Sequence, residues 1–193
     1  MEFFELVKQR RSCRSFKGDP VSDKDLGTII EAARWAPSPL NLQPWEFIVI
    51  TDGEIKRQIR QIAEDAKQDV LHSNGPKWVG KYDVGFLEEA PVLVVVLVDP
   101  SRAGLGKYFG QKYGAIQAGS MCIQNMMLAA TDLGLGSLLF TFFRPERLKR
   151  LLSIPEALEV IGVVPIGRPK EPIKTIPPRK EAKIHRQRFS GLS

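Results

Sequence analysis

Residues 91–98 read Pro-Val-Leu-Val-Val-Val-Leu-Val, a run with no polar side chain. A continuous stretch rich in β-branched residues marks a strand buried on both faces, because a half-exposed strand alternates apolar with polar positions. The run is also far too short for a bilayer, which takes about 20 apolar residues. A soluble chain follows, with a sheet at its centre and other elements packed over it.

The covering elements are legible around that strand. Residues 3–10 fit a short helix whose apolar side is Phe3, Phe4, Leu6 and Val7. Ser22-Asp23-Lys24-Asp25 resembles a capping box and opens a helix to about Trp35, with Leu26, Ile29, Ile30 and Ala33 at helical spacing. Pro37, Pro39 and Pro44 forbid helix and predict an extended loop. Residues 45–51 alternate and read as a strand; Asp52-Gly53 starts a helix to about Lys67, and residues 70–82 read as a polar loop. Residues 111–132 form a long helix, apolar nearly all round, which predicts burial in a core or an oligomer interface. Gly134 and Gly136 can end it. A strand over 137–143, a short helix over 145–152 and a strand over 158–166 follow. The prolines between Pro169 and Pro178 then favour an extended arm over a packed element. The expected fold class is α+β: a central sheet of about four strands flanked by helices, one domain over residues 1–193 with 168–193 as a C-terminal arm.

Charge is distributed unevenly. Residues 1–18 hold five basic and two acidic groups, residues 168–193 hold eight and two, and the middle is net acidic. A nucleic-acid binder more often shows a broad basic stripe with interleaved aromatics, so no nucleic-acid partner is expected. Two basic arms on a mildly acidic body suggest a compact anion, such as a phosphate, held where the arms meet; a solvated tail explains the last ten residues equally well. Hydrophobic residues at 43% and charged residues at 26% exclude disorder. Cys13 and Cys122, far apart, argue against a disulfide framework and fit a reducing, cytoplasmic setting. Residues 1–17 lack the apolar core of a signal peptide, and no membrane partner is expected.

Catalytic motifs of the usual kinds are missing from the sequence. His72 and His185 have no metal ligand at suitable spacing, no GxSxG elbow occurs, and Gly134-Leu135-Gly136 is not a complete dinucleotide fingerprint. Two clusters remain. Arg10, Arg11, Ser12 and Arg14 place three guanidiniums and a hydroxyl within five residues. Such a group either surrounds a phosphate with charge-assisted bonds or forms a solvated turn. In the second cluster, Pro37, Ser38, Pro39, Asn41 and Gln43 form a stiffened loop. Its polar groups either present a fixed edge to a flat heteroaromatic ligand or satisfy the loop itself.

Taken together, the arginine cluster, the Pro-Ser-Pro-Leu-Asn loop before Trp45-Glu-Phe-Ile-Val-Ile, the Gly-Leu-Gly-Ser turn and the late Gly-Arg-Pro…Pro-Pro-Arg arm closely resemble the nitroreductase-like flavoproteins, in order, from Arg10 to Arg179. The resemblance implies a nitroreductase-like mixed or antiparallel sheet and a homodimer holding FMN between its subunits. Arg10, Arg11 and Ser12 would handle the phosphate and ribityl chain, and Arg14 the N1/O2 edge of the ring, stabilising the reduced flavin. Pro37, Ser38, Pro39 and Asn41 would reach the flavin of the other subunit. Leu139, Phe140 and Thr141 would pass beside the ring near N5. Arg179 would bind phosphate, with Arg168 as a second candidate. The implied activity is ping-pong transfer of hydride from NADH or NADPH through the flavin to a small aromatic acceptor, nitroaromatic or quinone-like. Pro39 stands where many relatives carry a small polar residue, and Phe140, Phe142 and Phe143 would make the ring-face pocket apolar. Cys13, at the variable position of the arginine motif, reads as a small buried hydrophobe or as a thiol activated by its neighbours. Relatives that dehalogenate substrates or cleave the flavin to a benzimidazole are alternatives, as is a non-catalytic flavin- or nucleic-acid-binding protein.

Overall fold

The structure, a computed structural model, describes residues 2–111, 113–171 and 176–189. Its elements run α1 (Phe3–Gln9), α2 (Asp23–Arg34), β1 (Trp45–Ile50), α3 (Gly53–His72), α4 (Phe86–Glu89), β2 (Val92–Val98), α5 (Gly114–Asp132), β3 (Gly136–Ser137), α6 (Pro145–Leu151) and β4 (Glu159–Gly167). The fold is α+β. The strands form one antiparallel sheet in the order β1-β2-β4-β3.

Every residue of β2 is buried, as the unbroken apolar run requires. Strand side chains alternate between faces, and β2 accordingly serves two cores. Leu93, Val95 and Leu97 pack with Ile59 and Ala63 of α3, Phe86 and Leu87 of α4, and Leu148 of α6. Val92, Val94 and Val96 pack on the opposite face with Ile29 and Ala33 of α2 and Ala118, Cys122, Ile123 and Met126 of α5. Two helical layers therefore sandwich the sheet. The α2 cap is formed as expected: Ser22 Oγ accepts the Asp25 N–H at 3.0 Å, an interaction worth about 1 kcal/mol.

Several elements differ from the sequence reading. Helix α3 continues to His72 instead of ending near Lys67. Its last turns are held from outside, by Arg147 on Asp65 at 2.5 Å and Arg144 on Asp69 at 2.6 Å. The expected loop over 70–82 contains a short 3₁₀ turn, Lys77–Lys81. The expected strand 137–143 shrinks to β3 and a single bridge of Phe140 to Val163. Helix α5 keeps one face in the core, while Ile116 and Met121 on its other side are exposed. On α1 the whole apolar side is left outside the core: Phe3 and Phe4 are 62% and 74% exposed.

The start of the C-terminal arm is packed, not free. Phe16, only 1% exposed, is the anchor. Lys17 N–H donates to Arg168 O at 2.8 Å, Lys170 N–H donates to Ser15 O at 3.1 Å, and Phe16 bridges Pro169 antiparallel. Glu89 clips both strands of this zipper, accepting from Phe16 N–H and from Lys170 Nζ. Cys13 N–H donates to Ser137 O at 3.0 Å on the other side. Three segments thus meet at Gly136, where an added Cβ would lie 2.7 Å from the Cys13 side chain and 3.0 Å from Pro169. Only glycine lets them approach this closely. Of the arm, residues 172–175 and 190–193 lie outside the described residues.

Candidate functional site

The zipper brings the two ends of the chain together, and with them their positive charge. Arg10 follows the last turn of α1, and Arg11 and Ser12 continue along β3, with Ser12 bridged to Ser137. Partial burial is the main cause that lowers the Arg10 pKa, and the positive charges of Arg11 and Arg179 lower it further. Arg179, from the far end of the sequence, therefore lies within electrostatic reach of Arg10. An arginine stays protonated through such a shift, so the cluster concentrates charge of one sign. Several arginines outside the seam are neutralised: Arg34, Arg57, Arg60, Arg144 and Arg147 each pair with a carboxylate. Among the described residues Arg10, Arg11, Arg14 and Arg179 have no such ion pair.

Two buried polar atoms without a partner sit at the same seam, Arg11 Nε and Ser137 Oγ. Arg11 uses Nη1 on the carbonyl of Arg10 at 2.8 Å, and its Nε is left over. Buried polar atoms are ordinarily satisfied, so each orphan calls for a group from outside the chain. Clustered cations, an orphaned donor and an orphaned hydroxyl together suit a phosphate ester.

Arg14 connects this seam to a cleft of about 470 Å³ lined by Pro76, Trp78, Val79, Tyr82 and residues 138–142. Its walls are mostly apolar, with Arg14 as the only charged side chain among the described residues. Leu139, Phe140 and Thr141 form one side, and they are not equivalent. Phe140 spends both backbone groups on Val163, at 2.9 Å each. Leu139 and Thr141 flank that bridge, with backbone N–H groups that have no protein partner among the described residues. Trp78 and Tyr82 complete the opposite wall, and sequence reasoning missed both. They stand in a stretch with no periodicity, and the structure puts Tyr82 beside Arg14 across 68 positions of sequence. Cys13 lies behind the seam, its Sγ donating to Ser15 O at 3.3 Å. Burial outweighs that bond and the nearby Arg14 and raises its thiol pKa, a direction that favours the packing reading over an activated thiolate.

The proline loop lies elsewhere. It precedes Trp45, which pairs with Val98 at one end of β2, whereas β3 and the arginine seam adjoin Gly167 and the Val92 end. Six residues along β2 at about 3.4 Å, and three strand spacings of about 4.8 Å, put the two corners about 25 Å apart. Within one chain, Ser38 and Asn41 do not meet Arg10. The loop is not extended either: it makes a 3₁₀ turn, Pro39–Asn41, with φ of 51° at Leu40, 53° at Asn41 and 45° at Gln43. Left-handed non-glycine residues are uncommon and cluster at ligand clamps. Ser38 Oγ accepts the Gln43 N–H at 3.0 Å and Asn41 Oδ1 accepts from Gln43 Nε2 at 3.2 Å, which holds the turn. Pro39 packs so tightly against Gly104 (φ 78°) that a Cβ there would come within 2.5 Å. Leu40, at the tip, is 65% exposed.

Comparison with known proteins places this geometry in context. The family model described as Nitroreductase family matches residues 7–168. A protein of Archaeoglobus fulgidus, provisionally named an NADH dehydrogenase/NAD(P)H nitroreductase, is 33% identical over 88% of this chain and 87% of its own. An iodotyrosine deiodinase of Thermotoga neapolitana is 27% identical over 96% of this chain and 98% of its own. The solved structure of an oxidized iodotyrosine deiodinase bound to FMN and 3-iodo-L-tyrosine superposes with a TM-score of 0.84 at 27% identity, covering 96% of this chain and 99% of that one.

Proposed function

Because the chain belongs to the nitroreductase family, we propose that it is an FMN-dependent oxidoreductase that passes electrons from NADH or NADPH to a flat, electron-poor aromatic acceptor, nitroaromatic or quinone-like. The observation that carries this reading is the arginine seam, where buried Arg11 Nε and Ser137 Oγ have no partner among the described residues, leading to the apolar cleft that Arg14 lines. The residues present fit the cofactor. Arg10, Arg11 and Arg179 would hold its phosphate, with Ser12 and the orphaned Ser137 Oγ beside them. Arg14 would present positive charge to one edge of the ring, and the free N–H groups of Leu139 and Thr141 would face the other. When bound, FMN supplies the two-electron chemistry that links nicotinamide to acceptor. The chain's own part is to bind, to exclude water with Trp78, Phe140 and Phe142, and to place one cation where negative charge develops.

The loop at the opposite corner gives the reading its dimeric form. Pro37, Ser38, Pro39 and Asn41 cannot reach the cluster of their own chain, and they carry exposed apolar residues at the tip. In a homodimer they would complete the partner's site. The exposed Phe3, Phe4, Ile116 and Met121 offer apolar surface for the contact. A mixed dimer of Asn41→Ala with Arg10→Ala tests this. Shared sites put both lesions in one site and leave the other intact, so one wild-type-affinity FMN per dimer is expected. Sites built within one chain would each carry one lesion, and no wild-type-affinity site would form.

A second reading, reductive dehalogenation of a halotyrosine, is favoured by the likeness to the deiodinase structure. The cleft lining favours the first: its described residues offer a cation and no carboxylate to receive an amino acid's ammonium group, and an unpaired buried charge is costly. Nitroaromatic or quinone acceptors are expected to sustain NAD(P)H oxidation faster than 3-iodotyrosine loses iodide. The reverse ranking, measured side by side, would install the second reading.

A further inference from the structure

We propose that Tyr82 is a positioning residue that aims the Arg14 guanidinium at the flavin edge without cancelling its charge. The inference rests on the FMN reading and concerns how that site is tuned. Arg14 Nε donates to Tyr82 Oη at 3.1 Å, and the guanidinium carbon stands 5.8 Å from the centre of the same ring. The arginine is thus held by a hydrogen bond and by the ring's electron-rich face.

The choice of partner matters. A carboxylate would fix the guanidinium equally well and neutralise it, as happens at Arg60 and Arg147. A phenol accepts the hydrogen bond and leaves the full positive charge in place. Arg14 makes no other hydrogen bond to a described residue, so its two terminal nitrogens keep four N–H donors for the cleft it lines. Tyr82 can direct them because it is itself held. Its N–H donates to Val79 O at 3.0 Å. Its ring meets Trp78 at 6.4 Å, Phe86 at 6.5 Å and Phe142 at 6.4 Å, all steeply inclined. Phe86 in turn stands edge-on to Phe140 at 5.6 Å. The acceptor wall and the charge that tunes the cofactor are therefore one aromatic unit.

The test uses Tyr82→Phe, which keeps the ring and deletes only the accepting oxygen, alone and combined with Arg14→Gln. In the cofactor-free protein, the Arg14 Nε–H followed by ¹⁵N NMR is expected to exchange with water about 10-fold faster in Tyr82→Phe, the order set by one lost bond to a charged group. In the FMN-loaded protein, the ratio of reduced to oxidised cofactor affinity is expected to fall about 3- to 10-fold. At 29.6 mV per tenfold, that is about 15–30 mV lower in midpoint potential. The Tyr82→Phe shift is expected to vanish in the Arg14→Gln background, which a merely structural role would not produce. Unchanged exchange, or an unchanged potential, or a shift that persists without Arg14, would each overturn the assignment. Failure of wild-type protein to bind FMN would instead remove the proposed function, while the exchange experiment would still decide whether Tyr82 holds Arg14.

Discussion

Replacing Arg10 by alanine is expected to weaken FMN binding about 10- to 150-fold. A hydrogen bond to a charged group contributes about 1.5–3 kcal/mol, and about 1.4 kcal/mol is a factor of ten in affinity. The same substitution is expected to leave the cofactor-free protein as stable as before, or slightly more so. Among the described residues Arg10 has no carboxylate partner to lose. Partial burial first, and then the charges of Arg11 and Arg179, push its pKa down, the direction expected of a cation placed at electrostatic cost. The two halves of the result matter together. A structural arginine would lose stability on deletion, whereas a ligand-binding arginine loses only the ligand. Fluorescence titration of FMN and thermal unfolding of the same preparation read both. A fall in thermal stability with unchanged FMN affinity would reverse the assignment.

Phe86→Ala is expected to cost about 3–5 kcal/mol of unfolding free energy, the range for deleting a fully buried phenylalanine. The ring is 1% exposed and sits between the core side chains of β2 and the cleft, edge-on to Phe140 at 5.6 Å and to Tyr82 at 6.5 Å. Its loss leaves a void directly behind both aromatic walls, so the remaining fold should hold flavin and acceptor more loosely. Urea unfolding measures the first effect. A loss below about 1 kcal/mol would mean that the surrounding core collapses into the void, contrary to the close packing seen here.

How much of this was legible in the sequence depends on the range of the interactions involved. The buried strand β2 was plain because its signal is local: eight residues with nothing polar. Ser22 announced the start of α2 for the same reason. The arginine motif and the Pro-Ser-Pro-Leu-Asn loop were visible as clusters, although their separation by the width and length of the sheet was not. The missed features are set by distant contacts. The last turns of α3 depend on Arg144 and Arg147, the bridge at Phe140 depends on Val163, and the packed start of the arm depends on Phe16 and Glu89. Tyr82 is the clearest instance. A lone tyrosine among polar residues carries no pattern, and only the approach of Arg14 gives it meaning. The left-handed turn at Leu40, Asn41 and Gln43 was hidden because prolines constrain their neighbours toward extended backbone, whereas the Ser38 hydroxyl and the Pro39–Gly104 contact select the rarer conformation.

The account stands on a flavin held between two chains by cations drawn from both ends of the sequence. The most direct measurement is the visible spectrum of the purified protein across a calibrated gel-filtration peak, before and after anaerobic NADH or NADPH. A yellow dimer carrying one FMN per chain, bleached by the nicotinamide, is the expected result. A colourless protein that takes up no added FMN at any oligomeric size would contradict it.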